Sequence, residues 1–271
     1  MPIGGNPELF RSAGAEVAPW LANSTASPLS RDLLFLTMRY HALATDYDGT
    51  LAHHGRVAEK TVVALQLLRA SGRRLVMVTG RELPELLIIF ERIDLFDWVV
   101  AENGALLYCP STKKERLLAE GPPIEFVLAL QAKGVAPMSV GRVIVATWEP
   151  HEQAVLETIR DLGLERQVIF NKGAVMVLPS GINKATGLSA TLAEMELSPN
   201  DIVGVGDAEN DHAFLELCGL SAAVANAIPA IKETADVTTR GDHGDGVIEL
   251  IEGLIADDLE SRDGVLRPSL N

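Results

Sequence analysis

From residue 40 onward the chain alternates short apolar runs with amphipathic stretches. His41–Asp46 reads as a strand that runs into Asp46-Tyr47-Asp48-Gly49-Thr50. Ala58–Ala70 carries Val62, Leu65 and Leu68 on one face of a 3.6-residue period, which predicts a helix. Arg74–Thr79 holds Leu75, Val76, Met77 and Val78 in succession, as in a strand buried on both faces of a parallel sheet, and stops at Gly80. The next helix is expected to keep Leu83, Leu86, Leu87, Phe90 and Ile93 in register, with Pro84 accepted in its first turn. Asp97–Ala101 reads as a strand, Glu102-Asn103-Gly104 as a turn, and the segment up to Tyr108 as a return strand.

Near Pro110 the pattern changes. Residues 113–121 are polar, and Pro122-Pro123 interrupts the chain. A helix near Ile124–Lys133, a strand at Arg142–Trp148 and a helix at His151–Leu162 follow. Two strands, Gln167–Asn171 and Ala174–Leu178, then turn at Lys172-Gly173. After Gly181 the β/α alternation returns: helix Lys184–Glu196, strand Asp201–Gly206, helix Asn210–Cys218, strand Ala222–Ala225 and a helix near Gly246–Ile255. Alternating β and α units imply a parallel sheet covered on both faces. The fold class is therefore α/β: a Rossmann-like parallel-sheet core, residues 38–109 and 181–260, with an inserted α+β domain at 110–180. Residues 1–37 hold scattered Pro and Gly with little periodicity and are read as a flexible extension before Met38, the alternative being an ordered arm. Residues 261–271 are read as a polar tail.

Charge narrows the partners. The 271 residues hold 23 Lys and Arg against 37 Asp and Glu, a net charge of −14. Neither nucleic acid nor an anionic membrane is an expected partner for such a chain. Small phosphorylated metabolites remain open, because a few local cations and a metal suffice to hold them. The two cysteines, Cys109 and Cys218, form no CxxC and suit a reducing cytoplasm. No apolar run approaches the ~18 residues of a membrane span, and the N-terminus does not read as a signal peptide. Either a monomer or a homodimer is compatible with the sequence.

Three polar clusters fall at expected strand ends, where ligands sit in parallel sheets: Asp46/Asp48, Thr79-Gly80-Arg81 and Asp207/Asp211. Carboxylates at this density repel one another unless a cation lies between them. A hard divalent ion such as Mg²⁺, which takes carboxylates, water and phosphate oxygens, answers that need. Thr79 and Gly80 offer a hydroxyl and a backbone N–H to phosphate oxygens. Lys184 adds a positive charge at a helix start.

In this setting Asp46-Tyr47-Asp48-Gly49-Thr50-Leu51 resembles the first motif of the haloacid dehalogenase superfamily. Val78-Thr79-Gly80-Arg81 resembles the second, Asn183-Lys184-Ala185-Thr186-Gly187-Leu188 the third, and Gly206-Asp207-Ala208-Glu209-Asn210-Asp211 the fourth. All four occur in order. The interval from Thr79 to Lys184 leaves room for a C2-type cap, and Glu102-Asn103-Gly104-Ala105 also resembles the C2B-capped branch, which includes Cof-type, sucrose-phosphate and phosphoglycolate phosphatases.

The resemblance implies a Mg²⁺-dependent phosphatase that forms an aspartyl-phosphate. Asp46 would be the nucleophile and Asp48 the general acid/base. Asp46, Asp48 (through its carbonyl) and Asp207 would hold the metal, with Asp211 a further ligand or an anchor. Thr79, Gly80 and Lys184 would bind the phosphoryl group. Arg81 and Asn103 are candidate substrate contacts, and Asn210 is expected to orient its loop. Asn171 and Lys172 on the cap hairpin are weighed as substrate contacts against solvated turn residues, and His53-His54 as a metal site against a solvated loop. Gly204-Val205-Gly206 lacks the third glycine of a dinucleotide-binding loop, where Glu209 stands. A phosphomutase of the same superfamily and a non-catalytic phosphoacceptor module are the alternatives.

Overall fold

The computed structural model describes residues 38–260. The expectations for residues 1–37 and 261–271 lie outside the described residues. The first strands are β1 (Ala42–Thr45), β2 (Arg74–Val78), β3 (Trp98–Ala101), β4 (Leu106–Cys109) and β5 (Lys114–Leu117). Next come β6 (Ser139–Val140), β7 (Val145–Trp148), β8 (Arg166–Asn171) and β9 (Ala174–Pro179). The chain then returns to β10 (Ile202–Gly206), β11 (Leu220–Ala223) and β12 (Val237–Thr238).

Two sheets result. The larger has eight strands in the order β12-β11-β10-β1-β2-β3-β4-β5, parallel from β12 to β3 and antiparallel at β4 and β5. Every residue of β1 and β10 is buried, and so is every residue of β2 after Arg74. That is the pattern of strands covered on both faces. The helices covering them include α1 (Glu59–Ala70) and α2 (Leu83–Ile89) early in the chain. After two helices in the insert, α3 (Ile124–Ala132) and α4 (Glu152–Asp161), the core helices resume. They are α5 (Lys184–Met195), α6 (His212–Leu217), α7 (Pro229–Thr234) and α8 (His243–Asp257). Helix α1 packs on α8, and α5 packs on α6 and against β2, β3 and β4. None of the described helices is long and apolar enough to cross a membrane.

The site follows from this topology. From β1 the chain moves outward through β2 and β3, and only later places β10 on the other side of β1. The switch point of an open parallel sheet therefore lies between β1 and β10, and ligands bind beyond the strand ends at such a point. Thr45 lies opposite Met77 in β2 and Val205 in β10. This register delivers Asp46, Thr79 and Asp207 to one edge.

The smaller sheet, in the order β6-β7-β9-β8, is antiparallel and forms the cap. Its alternation divides two environments. Val145, Val175 and Val177 pack with Phe126, Leu130 and Val155 of α3 and α4. Ala146, Trp148, Ala174 and Met176 face the other way and line a cavity over the strand ends.

Two expectations change. The polar stretch assigned to the start of the insert contains β5, which pairs with β4 as the rim of the larger sheet. All four of its residues are exposed, so no alternation of burial marks it. The helix expected to run through Ile93 ends at Ile89. Phe90 is extended, at φ −127 and ψ 90, and a 3-10 turn occupies Ile93–Leu95. Edge-to-face contacts with Tyr47 and Phe96, at centroid distances of 5.8 and 6.1 Å, draw the Phe90 ring into the core.

Candidate active site

Lys184, the first residue of α5, is buried, and its ammonium lies 2.6 Å from Asp46 Oδ1 and 2.6 Å from Asp211 Oδ1. Asn183 caps the helix: its side chain accepts from Thr186 N, and the Thr186 hydroxyl accepts from Asn183 N. The second oxygen of Asp211 accepts from the backbone N–H groups of Asp207 and Ala208, at 2.8 and 2.9 Å. Both oxygens of Asp211 are thus engaged, tying the fourth motif to Lys184.

Asp207 is fully buried. Its Oδ1 accepts from the Thr50 hydroxyl at 3.0 Å, and its Oδ2 pairs with Lys172 of the cap hairpin. Gly49 makes that close approach possible. It sits at φ +90, and a Cβ there would lie 2.3 Å from Asp207 Oδ2. Asp46, Asp207 and Asp211 each offer one carboxylate oxygen within 4.8 Å of the others, the one cluster of this kind among the described residues.

The electrostatics of the cluster call for a cation. Burial first, and Asp211 next, hold the Asp46 carboxyl well above its ordinary range against the pull of Lys184. Burial likewise raises Asp207, opposed by its hydrogen bond from Lys172. Burial disfavours the Lys184 charge, yet Asp211 and Asp46 outweigh it and lift its pKa above the usual lysine value. The donors are all oxygens, the set a hard divalent ion prefers, and the Lys172 ammonium stands in as positive charge on Asp207.

Asp48 points elsewhere. Arg81 forks onto it, Nη2 to Oδ1 at 2.8 Å and Nε to Oδ2 at 2.5 Å, and also pairs with Glu85. The Asp48 carboxylate therefore lies outside the aspartate cluster. Thr79 is buried, and its hydroxyl accepts from Arg81 N at 3.1 Å, so its own proton is free to donate. Gly80 lines the cavity together with Asp46, Asp48 and Arg81.

Asn103 is buried at φ 54. It donates its N–H to Thr79 O at 2.9 Å and accepts from Asn210 Nδ2 at 2.9 Å. The amide of Asn103 is therefore tied to the fourth motif. The cavity measures about 530 Å³, and the cap roofs it with Met138, Ile144, Trp148 and Met176, Lys172 and Asn171 being its polar residues from the hairpin. His53 and His54 stack on one another at 4.1 Å, neither belonging to the aspartate cluster, and His53 stacks on His243 at 4.4 Å. Sequence reasoning left out Thr50, although it stands in the first motif, and Asn226, which donates to Gly49 O at 2.7 Å. The contact of Lys172 with Asp207 carries no signal in the sequence.

The profile of the haloacid dehalogenase-like hydrolases matches residues 43–128 and 137–251. The chain belongs to this family. A phosphoglycolate phosphatase of Methanothermobacter thermautotrophicus is 32% identical over 219 residues, covering 78% of this chain and 96% of that protein. Among solved structures, a sugar phosphatase of subclass IIB of the haloacid dehalogenase superfamily superposes with a TM-score of 0.65 at 19% identity, over 79% of this chain and 99% of that one. The sucrose-phosphatase of Synechocystis sp. PCC6803, solved with sucrose and phosphate, superposes with a TM-score of 0.62 at 19% identity, over 80% and 98%. The haloacid dehalogenase core and its α+β cap are thus shared.

Proposed function

We propose that this phosphoric monoester hydrolase is Mg²⁺-dependent, forms an aspartyl-phosphate on Asp46, and takes a small phospho-acid. The observation that carries the reading is the Lys184 ammonium, 2.6 Å from both Asp46 and Asp211, beside the carboxylate of Asp207. Asp46, the Asp48 carbonyl and Asp207 would hold Mg²⁺, which when bound would neutralise the carboxylates and polarise the phosphoryl group.

The chain's own residues supply the rest. With Oδ1 held by Lys184, Asp46 presents a carboxylate oxygen to phosphorus, and the P–O bond to the leaving group breaks. Asp48 gives its proton to that leaving oxygen. It then takes a proton from the water that attacks the aspartyl-phosphate, which releases phosphate and regenerates Asp46. The Thr79 hydroxyl, Gly80 N–H and Lys184 hold the phosphoryl oxygens.

The substrate class rests on two supports. The relative from Methanothermobacter is a phosphoglycolate phosphatase, and Lys172 places a cation from the cap beside the reaction centre, where a leaving-group carboxylate would meet it. Phosphate release by the full chain from 2-phosphoglycolate, other phospho-acids, sugar phosphates and p-nitrophenyl phosphate tests the reading. Phospho-acids are expected to give the highest kcat/KM. Activity should disappear in excess chelator, return with Mg²⁺ and fall with Ca²⁺, whose looser coordination suits the site less. Full activity in chelator would remove the metal from the mechanism, and a preference for sugar phosphates would remove the acid from the substrate.

Arg81 is predicted to matter through Asp48. Arg81→Ala releases both carboxylate oxygens of Asp48. General acid–base catalysis is worth ~10²–10⁴-fold, and a misaligned Asp48 should lose about tenfold of it in kcat. An ester with a poor leaving group should suffer more than p-nitrophenyl phosphate, because it needs the proton. Equal losses on the two esters would place Arg81 on the substrate instead.

A further inference from the structure

Glu102 is a fully buried carboxylate that the proposed chemistry does not use. It lies in the core, just after β3, yet its oxygens accept from three consecutive backbone N–H groups of the cap. Oε1 takes Arg142 N at 2.9 Å, and Oε2 takes Val143 N at 2.8 Å and Ile144 N at 3.1 Å. The cap wraps tightly around it: a Cβ on Gly141 would lie 2.8 Å from Glu102 Cδ. Ile144 and, two residues on, Ala146 line the cavity over Asp46 and Asp48.

The same turn also grips the phosphoryl side of the site. Glu102 N donates to Arg81 O and Asn103 N to Thr79 O, both at 2.9 Å. The Asn103 side chain meets Asn210. Gly104, at φ +107, packs so closely on the third motif that a Cβ would lie 1.8 Å from Asn183 O. Glu102 and Asn103 both adopt positive φ, at 50 and 54, a conformation that is costly for non-glycine residues and is held by the surrounding bonds.

We propose that Glu102 is a positioning residue that sets the register of the cap over the phosphoryl site, its carboxylate holding the Arg142-Val143-Ile144 backbone while its own turn holds Thr79 and Arg81. Through it, the wall that meets the leaving group and the loop that meets the phosphoryl oxygens form one rigid unit. Hydrogen bonds to a charged acceptor are stronger than neutral ones. A neutral, isosteric side chain therefore weakens this link without removing bulk, and its amide nitrogen faces a donor instead of accepting from it.

The test is Glu102→Gln in the full chain, read in two ways. Amide hydrogen exchange over residues 142–144 is expected to rise at least about tenfold, with protection of α3 and α4 unchanged. In kinetics, kcat/KM for the best ester of the metabolite panel is expected to fall about tenfold or more, mainly through KM. The kcat for p-nitrophenyl phosphate, whose leaving group departs without help from the cap, should stay within about threefold. The exchange measurement needs no substrate, so it stands apart from the assignment of a phospho-acid. Unchanged exchange, or equal losses on both esters, would overturn the proposal. Gly141→Ala, which presses on the same contact from the cap side, should reproduce the split. If both variants lose their near-UV circular dichroism, the contact is merely structural and the positioning role falls.

Discussion

Replacing Asp46 by Asn is expected to lower turnover by roughly 10⁴-fold or more, the scale seen when a covalent nucleophile is removed, and to leave no phosphoryl-enzyme. Asp48→Asn should fail in another way. Its variant keeps the Asp46 carboxylate on Lys184, and it keeps the backbone carbonyl of residue 48. What disappears is the proton carrier. An activated ester such as p-nitrophenyl phosphate needs little protonation of its leaving group, so the first half-reaction proceeds. Water attacking the aspartyl-phosphate still needs a base, so the second half-reaction stalls. A partial burst of nitrophenol should accompany a species about 80 Da heavier, the mass of an added PO₃H group. Intact-mass spectrometry after a rapid quench reads it, and peptide mapping should place it on Asp46. An adduct in the Asp46→Asn protein would assign the nucleophile to another residue.

Lys172→Met is expected to separate metal binding from substrate choice. In the structure this lysine reaches from the β8–β9 hairpin to Asp207, with Gly49 packed against it. A divalent ion on Asp207 has to displace that ammonium. Removing it should tighten Mg²⁺ binding, measurable by calorimetry on the protein without substrate. The reverse effect is expected on phospho-acids, which lose a charge-assisted partner worth about 1.5–3 kcal/mol. That is roughly a 10–100-fold fall in kcat/KM. The value for p-nitrophenyl phosphate, which has no carboxylate, should change far less. Weaker Mg²⁺ binding, or the same loss on every ester, would show that Lys172 serves the chemistry rather than the choice of substrate.

The core and the catalytic edge were legible because each rests on a local signal. Buried parallel strands print as apolar runs, and β1, β2 and β10 are such runs, each ending in a polar group that the register brings together. Elements decided by distant partners were not legible. Phe90 sits in helical register, but Tyr47 and Phe96 pull it out of the helix. Strand β5 has no buried face to mark it. The short pieces Pro229–Thr234 and Val237–Thr238 carry too few residues to show a period. At the site, Asp48 could be placed in the first motif, but its fork with Arg81 depends on how two loops meet. Glu102 reads in sequence as a turn residue, and the bonds that define it come from a segment forty residues away.

The rims of the larger sheet bear on how this protein behaves in a crowd. An open edge strand is a template on which another chain can add. One rim here is β12, only two residues long. The other is β5, whose Lys114, Glu115 and Arg116 are all exposed, with Glu115 paired to Arg142 and Arg116 to Glu194. A newcomer would have to break those ion pairs and bury their charges to continue the ladder. Eight strands can therefore lie side by side in the larger sheet with neither rim offering an easy template for a ninth from a neighbouring molecule.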